Sequence, residues 1–312
     1  MPKSRHAAKV RTVRGLAVAF AVLVAPFAAR TAEPGGLQLH HIHGLAVDPG
    51  DAAVIYIATH AGLVKGTQDK DRQFVGDDRS DFMGFIIHPT VPGLMMASGH
   101  PAEGSRFPNP RGVIVSRDGG RTWQPLALEG MADFHALTLS RADGDTLYGW
   151  NVGRNPGLYR VSLRNGTWGR VEIRGLAEVY SLGAHPQERE TLVAGTRSGL
   201  LVSRDGGQSW EHLGNTLRGI PVTAVAFHPE NTQVLLAYAV RPELGLVQSV
   251  DGGLSWAALG LFLGREDAVS HIAFSRPPSP IYLATFSSDI YRSDAAGSWQ
   301  RLIQGGRPVQ SR

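Results

Sequence analysis

The stretch Ser116-Arg117-Asp118-Gly119-Gly120-Arg121-Thr122-Trp123 decides how this 312-residue chain folds. Its pattern, S-x-D-x-G-x-[ST]-W, returns at Ser203-Arg204-Asp205-Gly206-Gly207-Gln208-Ser209-Trp210 and at Ser249-Val250-Asp251-Gly252-Gly253-Leu254-Ser255-Trp256. Two copies, each one residue short, occupy Ser162–Trp168 and Ser293–Trp299, and a looser sixth runs from Thr67 to Phe74. The copies begin at 67, 116, 162, 203, 249 and 293. Neighbours are thus 49, 46, 41, 46 and 44 residues apart, the length of one four-stranded propeller blade. In each copy the carboxylate and the hydroxyl can bond backbone groups of a hairpin turn, the glycine supplies positive φ, and the aromatic ring packs between sheets. Asp118, Asp205 and Asp251 are therefore assigned to structure, not to acid–base chemistry.

Working outward, an alternating apolar segment precedes each copy: Ile42–Val47, Phe82–Ile87, Phe134–Leu139, Val179–Ala184, Val222–Phe227 and Ser270–Phe274. These read as the innermost strands. A second strand follows each turn, as in Val54–Ala58 and Thr191–Ala194, and a third leads into the box, as in Gly112–Ser116. The 38 glycines and 19 prolines fit many short strands joined by tight turns. The expected fold is all-β: a single β-propeller of six four-stranded blades with Asp-box hairpins, spanning 40–306. Residues 33–39 are a short linker or closing strand and 307–312 a tail, and a seventh blade would need both ends to add strands.

The boxes resemble the Asp-box, or BNR, repeats of sialidases, sortilin-type propellers, Asp-box glycanases, bacterial exported glycosyl hydrolase-like proteins and photosystem II assembly-factor propellers. The resemblance covers nearly all of 40–306. It is specific for fold and poorly specific for function. It implies glycoside hydrolysis or protein-assembly scaffolding as candidate roles. The sialidase version is disfavoured, because the Phe/Tyr-Arg-Ile-Pro segment is missing near the start of the propeller. Arg197 and Arg241 could contact an acidic ligand, but neither a third arginine nor the Tyr/Glu nucleophile pair can be assigned.

Residues 1–32 read as an export signal. Lys3, Arg5, Lys9, Arg11 and Arg14 precede an apolar stretch from Gly15 to Ala29, and small residues follow at Ala28, Ala29 and Ala32. The alternative is an uncleaved N-terminal anchor, and both place the body outside the cytoplasm, periplasmic or secreted. The segment holds six of the 31 basic residues and no acidic one, so the remainder carries 25 basic against 27 acidic residues. With no basic excess left, nothing argues for nucleic acid as a partner. No cysteine is present. Thiol catalysis and thiolate metal sites are thereby excluded, leaving His, carboxylates and Met as possible ligands.

In a propeller the turns between strands one and two, and between three and four, share one face. His88, His185 and His228 fall there and read as turn formers. The opposite face collects what leads into the first strands and what leaves the second. It gathers His40, His41, His43, Asp81, Met83, Asp133, His135, Glu178 and Tyr180 with His60, His100, Trp150, Asn151, Arg197 and Arg241. His43, Met83, His135, Tyr180, Thr223 and Ser270 form one aligned column, expected to ring the channel mouth.

Two chemistries fit that cluster. Imidazoles with a thioether suit copper, and imidazoles with a carboxylate suit zinc or another divalent ion. The metal-ligand candidates are His41, His43, His60, Met83, His100 and His135, and the ligand-binding candidates are Trp150, Tyr180, Arg197 and Arg241. The plainer alternative is that these side chains bond loop backbones around a water-filled channel. A glycoside hydrolase would instead pair carboxylates over the channel, with Asp81, Asp133 and Glu178 as catalytic candidates and Glu266 nearby. Ser98-Gly99-His100 lacks a nucleophile elbow, and the glycine pairs of the boxes lack the helix and lysine of a phosphate loop. The expected partner is a small ligand, a metal ion or a protein.

Overall fold

A computed structural model of the protein describes residues 37–67, 70–275 and 280–309. The export segment 1–32, the first part of the linker, the centre of the loosest box at Gln68 and Asp69, and residues 310–312 lie outside the described residues. The described residues form six antiparallel sheets and no helix, so none is long and apolar enough to cross a membrane. Each sheet is a blade built from contiguous chain, its strands hydrogen-bonded in sequence order. The first strands are Ile42–Val47, Asp81–Ile87, Phe134–Leu139, Val179–Ala184, Val222–Phe227 and Val269–Phe274. Each packs beside the next, and the last packs beside the first, which closes the ring.

A blade is apolar on both faces, so it can only be buried between two others. The core accordingly divides into six clusters, each shared by neighbouring blades. Between blades 1 and 2, Tyr56 and Leu63 meet Phe82 and the box tryptophan Trp123, whose rings lie 4.9 Å apart. At the seam between blades 6 and 1, Tyr282, Ile290 and Ile303 meet Leu39, Ile42 and Val64. Beside that cluster the Leu39 amide donates to the Gly306 carbonyl at 2.8 Å, and Arg307 Nη2 donates to Gln38 Oε1 at 3.3 Å. One boundary is corrected here, and the blade number is settled at the expected six. Arg307–Pro308 is not tail but a fifth strand on the last sheet, paired with Trp299–Gln304. The two ends stitch the seam instead of building a seventh blade, so the ring has six.

The boxes lie between third and fourth strands and bond as their composition requires. Asp205 Oδ1 accepts from Ser203 Oγ at 2.8 Å and from the Ser209 amide at 3.0 Å, and Oδ2 accepts from Ser209 Oγ at 2.5 Å. Ser203 Oγ takes the Gly207 amide at 2.9 Å, and the Trp210 indole donates to the Gly207 carbonyl at 2.8 Å. The same pattern repeats around Asp118 and Asp251. In the shorter copies Asn165 accepts from Thr167, and Asp294 from the Ser298 amide at 2.8 Å. The turn histidines behave alike: Nδ1 of His88, His185 and His228 each accepts two successive amides of its own turn.

Hydrogen bonds from Thr122, Ser209 and Ser255 hold Asp118, Asp205 and Asp251 down to about 2, below their ordinary 3.8. A carboxylate depressed in the fold stabilises fully above its unfolded value and loses that contribution as pH falls towards the folded one. The melting temperature is therefore expected to drop between about pH 4 and 2, and replacing all three aspartates by Asn flattens that drop. At neutral pH, Asp205→Ala should cost about 1–2 kcal/mol for the four hydrogen bonds its carboxylate accepts, three of them exposed. That corresponds to about 2–4 °C per kcal/mol in scanning calorimetry.

Candidate functional site

Five of the six inner strands carry a β-bulge at the aligned column. In the first strands of blades 1, 3, 4, 5 and 6 the register skips His43, His135, Tyr180, Thr223 and Ser270, so each is unpaired with the second strand. In blade 2 the irregularity falls one residue later, at Gly84 and Phe85, and Met83 stays paired with Ser98. A bulge bends its strand and re-aims the extra side chain. Here it turns the column towards the end of the ring opposite the boxes. His43, Met83, His135, Tyr180 and Ser270 line a cavity of about 230 Å³ there, together with His41 and His271. Below it a channel of about 300 Å³, lined by both polar and apolar side chains, runs between the inner strands. Thr223 departs from the expectation: its hydroxyl donates to the Val269 carbonyl at 2.6 Å, outside that lining. Ser270 Oγ likewise reaches a carbonyl, that of Ala284, at 3.2 Å.

Two carboxylates organise the histidines into separate trios. Asp81 begins the first strand of blade 2 and is 9% exposed. Its Oδ2 lies 3.0 Å from His60 Nδ1, just after the second strand of blade 1, and its Oδ1 lies 3.5 Å from His43 Nε2. Asp133 just precedes the first strand of blade 3. Its Oδ2 lies 3.2 Å from His135 Nε2 and 3.6 Å from His100 Nε2, at the end of the second strand of blade 2. In each trio the ligating atoms are within 4.8 Å of one another. Oδ1 of both aspartates is buried without a hydrogen-bond partner.

Local structure explains these positions. Gly99 has φ 126°, and a Cβ there would fall 1.8 Å from the Asp81 carbonyl, so only glycine lets the chain carrying His100 pass so close to Asp81. The buried Ser98 hydroxyl accepts the Phe134 amide at 3.1 Å, pinning the strand that carries His135 to blade 2. Asn151 Oδ1 accepts the Asp133 amide at 2.8 Å, and Asn109 Oδ1 lies 2.7 Å from His100 Nδ1. His41 stands at φ 48°, its ring stacked on His43 with centroids 6.2 Å apart, and 5.9 Å from His60.

Electrostatics follow burial and company. Burial lowers His43, Asp81 pulls it back up, and His60, His41 and His135 add to the lowering. For Asp133 burial pushes upwards, yet the hydrogen bond from His135 and the charges of His135 and His100 outweigh it and hold the carboxyl below its ordinary range. His271, unsuspected from sequence, is pushed down to about 4 by burial and by His43, against a hydrogen bond to the His43 backbone. It braces blade 1 from blade 6. Its signal in the sequence is its place next to Ser270 in the column.

Other candidates lie apart. Trp150 borders a different depression beside Gly157 and Glu178, away from the mouth cavity. Glu178 is exposed and paired with Arg197 at 3.2 Å. Arg241 and Glu266 are exposed and line neither the mouth nor the channel. Asp81 and Asp133, the remaining catalytic candidates, each face imidazoles instead of each other.

Comparison with known proteins agrees with this architecture. The family model described as BNR/Asp-box repeat matches residues 114–125. No curated protein matches the chain in sequence. Among solved structures the chain is similar to an ancestral GH74 enzyme at 16% identity and a TM-score of 0.58, the match covering 88% of this chain and 40% of that one. It thus spans about two fifths of that enzyme. It is also similar to the extracellular domain of the hybrid two component system BT4673 from B. thetaiotaomicron, at 15% identity and a TM-score of 0.56, covering 86% and 34% of the two chains. A third, YCF48 bound to D1 peptide, has 16% identity and a TM-score of 0.52, with 88% of this chain and 96% of that one covered. At these identities the likeness is one of fold. Six blades closed by inner strands and box hairpins bonded alike in three copies make the fold a six-bladed β-propeller, and the BNR/Asp-box repeat model matches one of its boxes.

Proposed function

We propose that this protein is an exported, extracytoplasmic binding protein whose channel mouth takes a divalent transition-metal ion through His43, His60 and Asp81. The observation that carries the reading is Asp81, a nine-tenths buried carboxylate with one oxygen unpartnered and two imidazole nitrogens at 3.0 and 3.5 Å. Burying an ionised carboxylate is costly unless a cation or full hydrogen bonding compensates, and a metal ion among these three atoms would do so. Two imidazoles with one carboxylate suit zinc, leaving a further position open to water or a small ligand. Copper bound through a thioether has less support, because Met83 lines the cavity between His43 and His135 while aspartates complete the trios. Export is supported by the basic-then-apolar pattern of residues 1–32.

Glycoside hydrolysis has less support than binding, since it needs two carboxylates across one sugar bond and Glu178 is taken up by Arg197. Protein scaffolding has one specific observation in its favour: Val152, Tyr180 and Phe286 on the mouth are 43%, 44% and 58% exposed. Exposed apolar side chains in a patch mark a contact surface, and a propeller of similar fold and matched length holds a peptide.

Titration of zinc-free protein with Zn²⁺ or Cu²⁺ in a calorimeter tests the metal reading. Wild type should bind and be stabilised by about 2.7 kcal/mol at 100 times the dissociation constant. Asp81→Asn and His60→Ala should each lose a binding event. Absence of binding by wild type would sink the proposal. Tyr180→Ala with Phe286→Ala should leave metal binding intact and abolish capture of a peptide partner under the scaffold reading.

A further inference from the structure

We infer that His100, Asp133 and His135 form a second, independent site for a divalent transition-metal ion, so that one chain binds two. The inference extends the metal reading of the mouth and rests on the same chemistry, but on different atoms.

The second trio repeats the first one blade further round. His60 follows the second strand of blade 1 and His100 ends that of blade 2, each meeting an aspartate at the start of the next blade. In sequence the repeat is Thr59-His60 with Asp81-Phe82-Met83, against Gly99-His100 with Asp133-Phe134-His135. The third ligand differs. His135 supplies it in the second trio, whereas the matching position in blade 2 is Met83, and the first trio draws on His43 instead. The two groups therefore share no ligand, and they meet only through His43 and His135 on the walls of the common cavity.

Hydrogen bonding within the second trio points to a cation. Asn109 Oδ1 can only accept, so His100 Nδ1 donates to it across 2.7 Å. In the neutral ring Nε2 is then an unprotonated acceptor, and it faces Asp133 Oδ2 at 3.6 Å, acceptor against acceptor. Asp133 Oδ1 is buried with no partner at all. Asp133 Oδ2 takes one hydrogen bond, from His135 Nε2 at 3.2 Å, so the His100 lone pair and the unbonded Oδ1 remain without a donor, and a positive charge placed among them would satisfy both. The orienting amide behind His100 is what metal-ligating histidines require of their surroundings. His100 and His135 side chains are 38% and 45% exposed, which leaves an approach from solvent and an open coordination position.

Equilibrium dialysis against Zn²⁺, with zinc per chain counted by elemental analysis, tests the inference. Wild type should hold two equivalents. Asp133→Asn and His135→Gln should each hold one, Asp81→Asn should hold one, and Asp81→Asn combined with Asp133→Asn should hold none. Circular dichroism and melting of each zinc-free variant confirm that the ring is folded, and His135→Gln keeps the test alive if Asp133→Asn unfolds. One equivalent in wild type, lost alike on changing Asp81 or Asp133, would mean a single shared site. One equivalent untouched by Asp133→Asn would mean that the second trio is a protonated hydrogen-bond cluster. The first outcome replaces both trios by one joint site, and the second overturns the second site and leaves the first standing. No zinc in wild type overturns both.

Discussion

A sheet with two apolar faces cannot stand alone in water, and every other property of this molecule descends from that constraint. Each blade must be covered on both sides, and a ring lets identical partners cover one another without an exposed end. The six apolar clusters are the result, one at each interface. The boxes serve the same constraint from outside: they fix the outer hairpin so that its tryptophan enters an interface at a set angle, as Trp123 does against Phe82. Hydrogen bonds inside the box range from exposed at the aspartate to buried at the glycine and tryptophan, and they pre-shape a turn that the packing of the blades then holds.

Where the inner strands crowd together at the mouth, the ladder gives way to bulges, and the side chains freed from pairing are the polar ones. The same local irregularity serves different ends round the ring. In blades 1 and 3 it presents imidazoles, in blade 4 a tyrosine, and in blades 5 and 6 hydroxyls that turn back onto backbone carbonyls. The mouth is therefore chemically lopsided: nitrogen and carboxylate ligands gather on blades 1 to 3, and the opposite arc is closed by its own hydrogen bonds. A ligand bound by those side chains would sit off the ring axis.

Much of this was legible in the sequence. The spacing of Ser116, Ser203 and Ser249 set the blade length, and the turn prolines sorted His88 from His135 onto opposite faces. Six blades could be read from the box spacing, but the boundary at 307 could not, because a two-residue strand such as Arg307–Pro308 has no periodicity to read. Of the column, His43, Met83, His135, Tyr180 and Ser270 line the mouth, whereas Thr223 does not and its hydroxyl donates to the Val269 carbonyl. What the pattern could not give was pairing. That Asp81 belongs with His60, and Asp133 with His100 and His135, depends on which loop overhangs which strand in three dimensions. His271 and Asn109 were missed for the same reason, since each acts across a blade boundary or from a long loop.

The seam between the last and first blades has one further consequence. At every other interface the polypeptide itself passes from one blade to the next, so that interface is spanned by covalent bonds as well as by packing. Here no strand is exchanged: the chain ends meet through the Leu39–Gly306 hydrogen bond, the Gln38–Arg307 contact and one apolar cluster. Force applied to the two termini is thus borne by non-covalent contacts at a single place, and the ring is a closed chain with one designated breaking point. His43 and His271 stand on either side of it.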